Sequence, residues 1–147
     1  MARRSHEFLA RIRDLACDKL GQEAAIFQAR IRFSLLQFYR QDPRIHYEVW
    51  LQRKTGRIEI GLHFEGERED NYRWAETLSR RMVEIQAQLG PSMELEEWTR
   101  SWTRLHETLP LGVLAEETAQ DVAARLVRLI RVMEPILAQE AQAIAAG

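Results

Sequence analysis

Histidines and glutamates recur in this sequence at spacings that place them opposite one another on predicted β-hairpins. The pairs are His46 with Glu65, Glu48 with His63, and Glu94 with His106. Imidazoles and carboxylates can bind a metal ion together, and they also form simple ion pairs. Cross-strand partners meet in pairs and need not converge on one point. The spacing therefore favours three surface ion pairs, and we expect no metal and no other cofactor.

A second arrangement with possible chemistry is Asp42 followed by the triplet Gln52-Arg53-Lys54. It is similar to the site of restriction-type nucleases, where carboxylates hold a metal and a lysine steadies the phosphate. Here the aspartate falls in a turn and the triplet ends the next strand, which is the wrong placement. The sequence has no Gly-rich phosphate loop, no GxSxG and no HExxH. Cys17 has no evident partner base. We therefore predict no catalytic residues and favour a protein that is not an enzyme.

The polar side of the predicted sheet carries three of the four tryptophans. Large aromatic side chains within a charged rim are typical of a protein interface. The candidate partner-binding residues are Trp50, Trp98, Trp102, Arg30, Arg32, His63 and Arg104. Three interpretations stay open for this aromatic face: a dimer interface, a ligand site, or a clamp that holds its own hairpin together.

Two hairpins position these side chains. Residues 45–51 and 58–64 alternate between apolar and polar and flank a Thr55-Gly56 turn. With a two-residue turn, the residue numbers of two cross-strand partners sum to 111. This register places Trp50 opposite Gly61. The second hairpin covers residues 93–106. Its expected pairs are Trp98 with Trp102, Glu96 with Arg104, and Glu94 with His106.

Apolar periodicity predicts the remaining elements. A helix is expected from about Arg4 to Leu20, with Gly21 as its stop, and another over residues 69–89. A last helix is expected over 116–143, kinked or ended by Pro135. Residues 27–38 alternate like a strand but also fit a helix, and we favour the strand. The predicted order is α-β-β-β-α-β-β-α. It indicates one two-layer α+β domain over residues 1–147, an antiparallel sheet with helices on one face.

Charge and composition narrow the function classes. Residues 1–57 hold 12 Lys and Arg against 6 Asp and Glu, whereas residues 58–147 hold 9 against 16. The basic first half permits a nucleic-acid partner, but Glu48, Glu59, Glu94 and Glu96 on the aromatic face would repel phosphate. No apolar run approaches the ~18 residues of a membrane span, so no membrane partner is expected. A single cysteine and no secretory signal favour a cytoplasmic protein.

From Tyr47 to its end the chain resembles an uncharacterised domain family often found beside restriction-endonuclease-like domains. The segments that carry the resemblance are YEVWL, RIEIGLHF, MVEIQAQLG, LEEW and LVRLIRVMEPIL. The resemblance implies a link to DNA defence systems and transfers no site residues. The order of elements is also similar to that of type III secretion chaperones, which are small dimers.

These observations predict a non-catalytic protein-interaction module. We expect a homodimer formed through the open sheet face, or a protein or peptide partner bound there. The alternative is an accessory nucleic-acid-binding module of a DNA-processing or defence system.

Overall fold

The fold combines one antiparallel sheet with a layer of helices, so the predicted α+β class is confirmed. The computed structural model describes residues 2–146, and side chains for 4–145. Within that range the strands are β1 (Gln28–Arg32), β2 (Leu35–Tyr39), β3 (Ile45–Gln52), β4 (Arg57–Phe64), β5 (Glu94–Glu97) and β6 (Thr103–Pro110). The helices are α1 (Ala2–Leu20), α2 (Arg68–Ser79), α3 (Met82–Leu89) and α4 (Glu116–Ala146).

The strands lie in the order β1-β2-β3-β4-β6-β5 with every neighbour antiparallel. Alternate strand residues point to an inner face, where they pack against the helices. The inner residues of the central hairpin are Tyr47, Val49, Leu51, Ile58, Ile60, Leu62 and Phe64, all buried. Apolar residues that recur at helical spacing in α1 and α4, among them Phe8, Ile12, Val122 and Leu126, lie in the same core. Residues of the opposite, outer face form the candidate site.

Helix α1 ends where the sequence predicts. Gly21 adopts a positive φ of 61°, which an L side chain rarely adopts, and a short 3₁₀ helix, Gly21–Ile26, follows. Helix α4 extends past the predicted end to Ala146 and runs through Pro135, so this proline does not end it.

Residues 27–38 are extended, as favoured, but they form two strands and not one. Phe33 adopts φ 53° and so permits a two-residue turn, after which Arg32 pairs with Leu35. The turn reverses the chain. Ile31 consequently packs toward the core, while Leu35 faces outward beside Trp50.

The predicted helix over 69–89 is also divided, because Arg81 leaves the helical conformation at φ −112° and ψ 7°. The Arg81 guanidinium binds Glu84 at 2.9 Å and Glu140 of α4 at 3.3 Å. The second of these ion pairs links the break to the last helix.

The register of the β3–β4 hairpin differs from the prediction by two residues. Partner numbers sum to 109, so Trp50 faces Glu59, Glu48 faces Gly61 and His46 faces His63. The loop has four residues, 53–56, and not two, since Gln52 pairs with Arg57 and Gly56 takes a positive φ of 66°. A shift of two preserves the side-chain parity, so every residue remains on its predicted face.

The β5–β6 hairpin has the predicted register, with Glu94 opposite His106 and Glu96 opposite Arg104. The Trp98 backbone N–H donates to the Trp102 carbonyl at 3.1 Å, so these two tryptophans also meet. Among the described residues 2–146, no helix is both long and apolar enough to cross a membrane.

Candidate functional site

The outer face of the β3–β4 hairpin brings two histidines together. His46 and His63 pair across the strands, and their rings stack with centroids 5.4 Å apart and planes inclined by 14°. Glu48 lies two residues from His46 on β3, and Glu65 follows directly after the end of β4. These four residues, His46, Glu48, His63 and Glu65, are called the His–Glu cluster below.

Donor atoms in the His–Glu cluster lie close to one another. His46 Nε2 is 3.1 Å from Glu48 Oε1 and 3.9 Å from Glu65 Oε2. His63 Nδ1 is 3.0 Å from Glu65 Oε2, and His63 Nε2 is 3.5 Å from Glu48 Oε2. One donor atom from each residue can be chosen so that all four lie within 4.8 Å of one another. The cluster could therefore hold a single cation.

A second set of contacts orients the cluster. The Pro43 carbonyl lies 2.8 Å from His46 Nδ1, and Glu59 Oε2 lies 2.8 Å from His63 Nε2. Gln37 Nε2 donates to Glu48 Oε1 at 3.0 Å. Arg104 donates to the other oxygen of Glu59. These contacts therefore fix the orientations of the two imidazoles and of the Glu48 carboxylate.

The cluster is buried, contrary to the expectation of surface ion pairs. His63 is 0% exposed, His46 2% and Glu48 4%. The predicted pairs Glu48–His63 and His46–Glu65 are nevertheless close. Burial alone would lower the pKa of His63, but its hydrogen bonds to Glu59 and Glu65 and the charge of Glu48 raise that pKa to about 10. Burial acts to raise the pKa of Glu48, yet the bond from His46 and the charge of His63 lower it below its ordinary value.

Tryptophans cover the cluster from the solvent side. The Trp98 ring meets His63 edge-on at 5.6 Å and lies 6.1 Å from Trp50 and 5.8 Å from Trp102. The Arg104 guanidinium lies over the Trp98 ring at 4.8 Å. The β5–β6 turn places these rings, because Thr99 Oγ1 accepts from the Trp102 backbone N–H at 2.9 Å. Trp98 therefore covers His63, while Trp50 and Trp102 pack against Trp98.

A groove of about 350 Å³ opens beside this cover. Its lining residues are Arg32, Phe33, Ser34, Leu35, Gln37, Glu48, Trp50, Glu65, Trp98 and Trp102. Phe33 at the β1–β2 turn is 79% exposed and Trp102 is 37% exposed. The groove has aromatic side chains as walls, and two carboxylates of the cluster contribute to its lining.

Most of the predicted partner-binding residues meet here. Trp50, Trp98, Trp102, His63 and Arg104 form one connected group, through the ring contacts and the guanidinium just described. Arg32 lines the groove from its edge. Arg30 does not line it: its guanidinium donates to Gln37 at 2.7 Å and lies over the Tyr39 ring at 5.1 Å.

Other residues in the sequence interpretation lie elsewhere. His106 is buried, and its Nε2 is 3.3 Å from Glu96 without hydrogen-bond geometry. Burial and the nearby Arg104 lower the pKa of His106. Asp42 binds the Arg44 backbone N–H at 2.9 Å and its guanidinium at 3.0 Å. Because Asp42 and Lys54 flank opposite ends of β3, the two halves of a nuclease-like site lie apart.

One residue of the groove, Phe33, escapes the sequence interpretation. The alternation places it inside a strand, and nothing in the pattern marks it as a turn residue. Glu65 is expected beside His46, but its shorter contact is with His63, at 3.0 Å from Nδ1.

Searches for similar proteins give no further assignment, because no family model, curated protein or solved structure matches the chain. The resemblance described above stays a prediction.

Proposed function

We propose that this chain is a non-catalytic protein-interaction module that forms a homodimer through the outer face of its sheet. The observation that carries the proposal is Phe33, which is 79% exposed at the rim of an aromatic groove. Its φ of 53° lies in the left-handed region, which costs an L residue about 1–2 kcal/mol. The conformation permits the β1–β2 turn, but glycine would permit the same turn without the strain and without the exposed ring. An interface that buries the ring offsets both costs.

A second copy is the partner best matched to this face. The β1 edge of the sheet carries exposed Arg32, while the β5 edge carries exposed Glu94, Glu96 and Glu97. A two-fold axis parallel to the strands would place the basic edge of one copy over the acidic edge of the other. The aromatic groove then lies near the centre of the interface and the charges lie on its rim.

The test is the solution mass, measured by light scattering on a sizing column. We expect twice 17.2 kDa for the unmodified chain and 17.2 kDa for Phe33→Gly. Glycine accepts the positive φ without strain, so this variant should fold at least as stably as the parent. The matched control is Val83→Ser on α3, where the valine is 86% exposed in the helical layer, and it should leave the dimer intact. A monomeric parent chain, or a dimer that survives Phe33→Gly, overturns the proposal.

The second candidate is an accessory nucleic-acid-binding module. Exposed Arg32 at the groove edge and the basic first half of the chain favour it. Glu48 and Glu65 in the groove would repel phosphate, which makes it the weaker proposal. Binding of single-stranded DNA that weakens steeply with added salt would support it, whereas flat titrations at low salt would exclude it. The single cysteine supports a cytoplasmic setting for either function.

A further inference from the structure

We infer that the His–Glu cluster, His46, Glu48, His63 and Glu65, is a binding site for one divalent transition-metal ion of the zinc class. This inference goes beyond the proposed dimer and does not depend on it. It rests on four features of the cluster: the distances between its donor atoms, the orientation of its imidazoles, the charges around it and its access from the groove.

The spacing of the donor atoms matches a four-coordinate ion. Zinc binds imidazole nitrogen and carboxylate oxygen at about 2.0–2.2 Å, so tetrahedral ligands lie about 3.4 Å from one another. The cluster separations are 3.1 Å for His46 to Glu48, 3.0 Å for His63 to Glu65 and 3.9 Å for His46 to Glu65. Small side-chain adjustments would bring all four atoms to that distance.

Both histidines are oriented as metal ligands usually are. A metal-bound imidazole commonly donates its second N–H to a carbonyl or a carboxylate. His46 Nδ1 lies 2.8 Å from the Pro43 carbonyl, which leaves Nε2 toward the cluster. His63 Nε2 lies 2.8 Å from Glu59, which leaves Nδ1 beside Glu65. The supporting contacts of a metal site are thus already in place.

Charge favours a divalent ion at this position. Glu48, Glu59 and Glu65 bring three carboxylates to the site, and the Arg104 guanidinium contacts one of them, Glu59. A bound divalent cation would take the place of the proton that His63 Nδ1 shares with Glu65, and it would add positive charge beside these carboxylates. Two nitrogen and two oxygen donors suit zinc, cobalt or nickel better than magnesium or calcium, which prefer oxygen alone.

The groove supplies an entry path. Glu48 and Glu65 line it from inside, and the Glu65 side chain retains 18% of its exposed area. An ion could reach the carboxylates from the groove, while the two imidazoles, His46 and His63, are only 2% and 0% exposed.

The inference is tested on the full chain without an affinity tag, after treatment with a chelator. We expect calorimetry to give one Zn²⁺ per chain, and Mg²⁺ to give no heat. X-ray absorption of the zinc-loaded parent chain should show two imidazoles among four light ligands at about 2.0–2.1 Å. Because this readout uses the unmodified protein, it does not depend on any variant folding.

Variants then assign the ligands. We expect His46→Gln and Glu65→Gln to weaken zinc binding at least about 100-fold, because each removes a direct ligand. The matched control is the double variant His6→Gln, Glu117→Gln, which changes one exposed histidine and one exposed glutamate of the helical layer and should bind like the parent. Phe33→Gly should also bind zinc normally, so failure of the dimer leaves this test intact.

Either of two results overturns the inference. One is a parent chain that shows no zinc heat and no shift in thermal midpoint at tenfold excess metal. The other is an absorption spectrum with fewer than two imidazoles, which would place the ion elsewhere on the protein.

Discussion

The two faces of the β3–β4 hairpin are buried to the same degree by different means. On the inner face Val49, Ile60 and Phe64 are fully buried against helices and gain from the removal of apolar surface from water. On the outer face Glu59 and His63 are equally buried, but among charges and beneath a tryptophan. Burial of the outer face costs desolvation, which hydrogen bonds and ion pairs must offset.

This difference separates stability from specificity. Apolar packing on the inner face is non-directional, so other well-packed apolar residues of similar volume could replace those present. The outer face requires particular partners, since removal of one leaves another charge buried and unpaired. A sequence that keeps such a face gives up stability that an apolar surface could have supplied. We therefore expect the outer face to be the one that binds a partner or a ligand.

Removal of a large inner side chain should have the largest effect. Phe64 is fully buried and its ring stacks on Trp74 at 5.5 Å. We expect Phe64→Ala to lower the free energy of unfolding by about 3–5 kcal/mol, because it loses apolar burial and leaves a cavity. Urea unfolding followed by circular dichroism measures the change. A loss under about 1 kcal/mol would show that the inner face is not the main core.

Removal of the outer cover should have a smaller effect. Trp98 is half-buried and contacts His63, Trp50 and Arg104. We expect Trp98→Ala to lower the free energy of unfolding by about 2 kcal/mol, which is less than for a fully buried aromatic residue. Trp102→Ala is the matched control, and its effect on the monomer should stay below about 1 kcal/mol, since this ring is more exposed. Equal losses would contradict the assignment of Trp98 as the cover.

Strands β4 and β6 lie so close together at Gly61 that the fold should not tolerate a methyl group there. A Cβ there would lie 2.9 Å from the Leu105 carbonyl oxygen and from His106 Cβ. We expect Gly61→Ala to destabilise the fold by about 1–3 kcal/mol through overpacking. At Gly66 a Cβ would meet the Arg44 side chain at an ordinary 3.6 Å, so Gly66→Ala should change little. Urea midpoints of the two variants give the comparison, and an unaffected Gly61→Ala would refute the close contact.

The sequence predicts the faces of this sheet better than it predicts their burial. Alternation fixes which residues share a face, and it correctly places His46, Glu48 and His63 together. The exact register depends on loop length, and the four-residue loop after Gln52 has no strong turn signature. The observed register places His46 opposite His63, whereas the predicted register places it opposite Glu65. Burial of the outer face depends on Trp98, which arrives from a hairpin distant in sequence.

Local sequence patterns also miss the two divided elements. At the break before α3, Arg81 binds Glu140 of the last helix, a contact that local periodicity cannot reveal. The β1–β2 turn depends on a left-handed phenylalanine, which propensity argues against. Both departures from local rules occur where tertiary contacts or binding can offset their cost.

Exposed ion pairs can be compared with the buried His–Glu cluster, because they should titrate independently of it. Glu116 on α4 accepts from Arg11 on α1 at 2.9 Å and from Gln120 at 2.8 Å, and the pair is open to solvent. The Arg11 bond, together with that from Gln120, lowers the pKa of Glu116 from 4.5 to about 2. A lowered folded-state pKa means that the stabilisation is present above pH 4.5 and is lost as pH falls toward 2.

Carboxyl-carbon chemical shifts measured by NMR against pH test this smallest effect. We expect Arg11→Ala to raise the pKa of Glu116 toward its ordinary range without restoring it fully, because the Gln120 bond remains. Arg80→Ala is the matched control, since it removes an exposed helical ion pair with Glu76 and should leave Glu116 unchanged. Thermal midpoints should fall less steeply below pH 4.5 in Arg11→Ala than in the parent. A Glu116 that titrates at its ordinary pKa in the parent would mean that solvent screens the exposed pair completely, and the contrast with the buried cluster would then be sharper.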